Sequence, residues 1–115
     1  SNFIINRNQI YLIDFLKTYH DSILQDLSKI YQEFILGWSS RFTSKNQKLR
    51  SKLFCEKVVD FDFFNSFPKN LRKYLYFEIL MTLFRIFPYV KQKDKITINW
   101  LKDSIKFVIK NNINF

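Results

Sequence analysis

Residues 69–87, KNLRKYLYFEILMTLFRIF, decide the fold. Apolar side chains run nearly all round this segment, and only Glu78, Thr82 and Arg85, spaced four and three residues apart, form a thin polar stripe. A helix with so narrow a polar face belongs in the middle of a helical assembly. Pro68 suits its first turn and Pro88 ends it, because proline fixes φ and has no N–H to give.

Working outward toward the N-terminus, Ile13, Leu16, His20, Ile23, Leu27, Ile30 and Phe34 recur at alternating spacings of three and four. This predicts a long amphipathic helix over about 8–36 with Gly37 as its stop. Ser22 with Gln25 also reads as a capping box, which predicts instead two shorter helices broken near residues 19–22. The seam of Leu16, Ile23, Leu27 and Ile30 suits packing within the domain or a partner helix, a second copy included. Its two heptads and a turn fall short of the three to four that mark a coiled coil.

Toward the C-terminus, 89–95 reads as a polar, basic linker, and Thr97 or Asn99 starts a last helix. Its inward residues are Ile98, Leu101, Ile105 and Ile109, and Lys102, Lys106 and Lys110 form a cationic row outside. Asn111 and Asn112 suit its left-handed end. Trp100 and Phe107 flank the row, where aromatics serve either the core or stacking on unpaired bases. In 58–68, VVDFDFFNSFP, four Phe surround Asp60 and Asp62; two carboxylates supply too few oxygens for a hard cation, so this is an aromatic connector.

Between the two halves lies 41–57, RFTSKNQKLRSKLFCEK, with six basic residues against the single acid Glu56. Ser44 and Gln47 form a capping box that opens a helix, with Leu49, Leu53 and Phe54 as its inward face. Arg41, Lys45, Lys48 and Lys52 fall at spacings of four, three and four, hence on one face, flanked by Arg50 and Lys57. A merely solvated helix mixes signs, because Glu and Lys four apart each add roughly 0.2–0.5 kcal/mol. Here the interleaved acids are missing. Cys55 on this helix is either buried as a small apolar residue or, if exposed, has its thiolate favoured by the lysines.

Charge abundance alone carries little weight. Phe, Tyr, Met, Ile, Asn and Lys, whose codons are poor in G and C, make up 59 of 115 residues, and Ala is absent. That is the mark of an AT-rich gene, so part of the net charge of +9 is background. Its distribution is informative: −1 over residues 1–40, +5 over 41–57, −2 over 58–68 and +7 over 69–115. Such asymmetry suits an anionic partner.

The C-terminal part, from Arg85 and Pro88 through a Thr-started helix to Ile113-Asn114-Phe115, with the upstream aromatic pair Phe63-Phe64, resembles SWIRM domains of chromatin complexes. Between Thr97 and Ile113 the chain is about a helix shorter than that family. The resemblance implies a chromatin or nucleic-acid setting.

These readings converge on an all-α fold: one domain, 1–115, a compact bundle of four to five helices with a long N-terminal helix and a largely buried central helix. The opening Ser1-Asn2 reads as a cloning remnant, which makes the chain an excised domain. One Cys and one His leave no disulfide or zinc spacing. With Gly37 the only glycine there is no phosphate loop, and no nucleophile stands beside a base. The expectation is a non-enzymatic, cofactor-free and metal-free intracellular module, nuclear if its partner is. It contacts nucleic-acid phosphates through Arg41, Lys45, Lys48, Arg50 and Lys52, joined by Lys102, Lys106 and Lys110. The alternative is a helical protein-interaction or oligomerisation domain whose lysines only provide solubility. A membrane partner is disfavoured, because the basic helix keeps its apolar side for the core.

Overall fold

The computed structural model describes residues 3–6, 9–12, 22–59 and 61–112. A two-stranded antiparallel hairpin, β1 (Phe3–Asn6) and β2 (Gln9–Leu12), opens the chain, with Asn6 opposite Gln9. The helices follow: α1 (Ile23–Phe34), α2 (Lys45–Val58), the short α3 (Phe61–Asn65), α4 (Lys69–Phe84) and α5 (Lys95–Asn112). A 3₁₀ turn, Phe87–Tyr89, links the last two. The helical bundle matches the sequence expectation; the hairpin does not.

The long N-terminal helix is corrected accordingly. Residues 9–12 are a strand, in keeping with the β-preferring Ile10 and Tyr11, and α1 begins only after Ser22. Ser22 is extended (φ −120°, ψ 131°) and its hydroxyl accepts the Leu24 N–H at 3.2 Å. The helix start expected at Ser22 is therefore present, while residues 13–21, over which the first of the two shorter helices was expected, lie outside the described residues. Leu16 and His20 lie outside the described residues.

The core is built where α1 crosses α4, the most extensively packed pair of helices. Leu27 and Tyr31 of α1 meet Leu75, Ile79 and Leu83 of α4, and Leu101 and Val108 of α5 complete the cluster. Phe64 of α3 is buried edge-on to Tyr31, ring centroids 4.9 Å apart. A polar link crosses this core: Ser28, fully buried, donates to the Gln25 carbonyl at 2.7 Å, so its contact with Thr82 at 2.9 Å must be donated by Thr82. Part of the expected polar stripe of α4 thus serves the α1 interface.

Two registers differ from expectation. On α5 the inward residues are Thr97, Leu101, Ser104 and Val108, while Ile109 faces solvent. Small Ser104 and polar-capable Thr97 sit where the sequence suggested isoleucines. Helix α4 is central, yet only one face is buried: Tyr74, Phe77, Met81 and Phe84 remain exposed.

Candidate functional site

The α1 stop sets the position of the basic helix. Ile35 and Leu36 both donate to the Tyr31 carbonyl, and Gly37, at φ 69°, reverses the chain. A Cβ there would lie 2.9 Å from Ser40 Oγ, so both backbone and space select glycine. The turn then runs to Ser44, whose hydroxyl accepts the Gln47 N–H while Gln47 Oε1 accepts from the Ser44 N–H. The capping box read in the sequence is present and starts α2.

Arg41 holds this turn against α5. Its Nε donates to Thr97 Oγ1 at 3.1 Å and its Nη1 to the Trp38 carbonyl at 2.8 Å. The guanidinium lies 3.4 Å from the Trp38 ring centroid and 4.3 Å from that of Phe42. Trp38 packs edge-on to Trp100 at 5.0 Å, and Trp100 Nε1 donates to the Leu36 carbonyl at 2.7 Å. Arg41 is therefore an anchor, engaged by the fold, and leaves the predicted cationic stripe. Trp100, with its N–H satisfied inside the domain, is likewise structural.

Helix α5 begins two residues before Thr97. Asp94 caps it, accepting the Thr97 N–H at 3.0 Å, and the Thr97 side chain is bonded to the same carboxylate. Those Thr97 bonds, with the Arg41 charge adding less, hold the Asp94 carboxyl below the usual carboxylate range. Asp-x-x-Thr before an apolar periodic run was a legible cap signal.

Helix α2 buries no residue. Only Ser51 and Cys55 are half-buried, so they mark the side nearest the body. At about 100° per residue, Leu49 and Leu53 then point directly away. Leu49, Leu53 and Phe54 are 58%, 53% and 55% exposed, which overturns their expected inward face. Lys45, Lys48 and Lys52 run along one flank of this leucine crest, and Arg50 and Lys57 along the other, all exposed. Lys52 approaches Glu56 at 3.8 Å with both side chains mostly solvated, a pair worth little. Burial, then Glu33 and Glu56, push the Cys55 thiol up. The expected lysine activation of its thiolate is outweighed.

Between α2 and α5 two adjoining hollows, about 660 and 500 Å³, share Arg41, Lys48 and Trp100. The α5 wall consists of Ile96, Asn99, Trp100, Asp103, Ser104 and Phe107. Lys102, Lys106 and Lys110 are exposed on α5 and line neither hollow, so the two cationic rows do not line one cleft. Of the expected partner seam, Leu27 is in the core and Ile30 packs against it, while Ile23 is 72% exposed. Leu27 and Ile30 are thus taken up by the fold. Asp62 is exposed on α3, and among the described residues no three His, Cys, Asp or Glu side chains cluster to hold a metal. Nor, among them, is any helix long and apolar enough to cross a membrane.

Fold and surface together define a small helical domain with a projecting basic helix. No protein-family model, curated protein or solved structure matches the chain, so the resemblance to SWIRM domains gains no support from them.

Proposed function

We propose that the domain is a non-catalytic module that grips the phosphate backbone of double-stranded DNA with α2, within an intracellular, chromatin-type setting. The observation that carries this reading is that α2 buries none of its residues while presenting five cations against Glu56. The cations stand on both flanks of the crest, as phosphates stand on both walls of a major groove wide enough for a helix. A-form RNA offers no such groove, which favours DNA. Contacts of this kind position the protein without reading bases, so sequence preference is weak.

Binding of a labelled duplex of about 20 base pairs tests the reading by fluorescence anisotropy. The expected result is micromolar or tighter affinity at about 50 mM salt. Changing Lys45, Lys48 and Lys52 together to Glu should abolish it, and double-stranded RNA of the same length should bind more weakly. Absence of binding by the parent protein, or full binding by the triple variant, would refute the proposal.

A further inference from the structure

The outer face of α4 belongs to neither the core nor α2. With Ile79 at the centre of the buried side, Phe77 and Met81 lie opposite it, and Tyr74 and Phe84 lie within about 40° of that line. Their exposures are 62%, 36%, 68% and 48%. Phe87 extends the stripe across the 3₁₀ turn by stacking on Phe84, centroids 6.3 Å apart. From Tyr74 to Phe84 the stripe is about 15 Å long, its members falling within about 80° of arc between the charged borders, the footprint of one partner helix. Exposed apolar patches of this continuity mark interaction sites.

Charge selects the occupant. Lys73 borders the stripe on one side, exposed Arg85 and half-buried Glu78 on the other, and over residues 69–85 four cations, Lys69, Arg72, Lys73 and Arg85, stand against the single acid Glu78. A second copy fits the apolar register, since pairing about Ile79 sets Tyr74 on Phe84 and Phe77 on Met81. Each copy, however, carries a net +9 and brings a predominantly cationic margin to such a pairing. Like charges across an interface reject a partner. We infer that this face binds an amphipathic helix of another protein, with aromatic or aliphatic anchors at i, i+4, i+7 and i+11 flanked by Asp and Glu. The inference is independent of DNA binding by α2.

A labelled helical peptide of about 18 residues, with Leu and Phe at those anchor positions and Glu between them, is a direct probe. Binding to the full chain is expected in the micromolar range, at least about tenfold tighter than for the same peptide with Lys replacing Glu. Tyr74→Asp with Phe77→Asp should weaken it at least about tenfold, with circular dichroism and duplex binding unchanged. Phe77→Gln, a milder change on the same exposed face, should weaken it in the same direction if the double variant misfolds. Lys73→Glu with Arg85→Glu should reverse the preference toward the Lys peptide. No binding up to about 100 µM, equal binding of both peptides, or indifference to Phe77 would overturn the inference. So would a doubled mass in light scattering that Tyr74→Asp with Phe77→Asp abolishes, or Phe77-dependent binding to anionic vesicles without peptide binding.

Discussion

Arg41 shows how a residue's charge and its role separate. In sequence it leads a cationic row; in the fold its planar fork is spent on Thr97, the Trp38 carbonyl and two aromatic rings. A lysine could not make this set, because it lacks the fork that bonds and stacks together. Thr97 passes the restraint on to Asp94, the α5 cap. Because the Asp94 carboxyl is held below its ordinary value, its contribution is present above the unfolded value, about 3.9, and is lost as pH falls through the folded one. Asp94→Asn keeps an acceptor for the cap but removes this charge. Thermal melts should show the parent more stable than the variant at pH 7, with the gap closing below about pH 4; a pH-independent gap would contradict the assignment.

At the element scale, α2 is a helix held at its ends and sides without being packed. Its propensity, its capping box and Lys57 in the last turn maintain it, and the Gly37 turn aims it. Substituting Leu49 and Leu53 together by Gln should change unfolding free energy by no more than about 0.5 kcal/mol per site. Leu101→Ala, on a fully buried α5 position, should cost about 2–5 kcal/mol. Urea denaturation separates the two outcomes, and a large loss from the α2 pair would mean that its leucines are core after all. The same contrast explains α4, whose buried and exposed faces are both apolar: periodicity alone cannot rank two greasy faces.

For the whole molecule, the surface divides by partner chemistry. Helix α2 offers cations around a projecting crest, α4 an aromatic stripe with a basic margin, and α5 an exposed lysine row that lines neither hollow. Phosphate binding through α2 alone neutralises about four phosphates, so duplex affinity should fall roughly 100-fold between about 50 and 200 mM salt. If the α5 row stands outside the contact, reversing Lys102, Lys106 and Lys110 should lower affinity less than reversing the α2 lysines and leave the salt slope nearly unchanged. Anisotropy titrations at several salt concentrations decide this, and an equal loss from both triples would place α5 in the interface.

Local signals were legible without the fold. The Ser44–Gln47 box, the Gly37 stop, the alternative start at Ser22 and the helix opening at Lys69, which stops at Phe84 rather than at the expected Phe87, depend on φ/ψ preferences and hydrogen bonds within a few residues. Helix count and fold class followed from them. The hairpin at the start escaped because the helix read from the three-and-four pattern that begins at Ile13 was carried back over 8–12, past two short strand-forming runs. Which face of α2, α4 or α5 turns inward, and that Arg41 is consumed by Thr97, depend on contacts between residues as far apart in the chain as Arg41 and Thr97. Those contacts are set by how all the helices share one core, a competition that no single helix's pattern contains. The composition and spacing of the basic stretch were thus written in the chain, while its division into an anchor and a projecting, two-flanked helix was decided by tertiary packing.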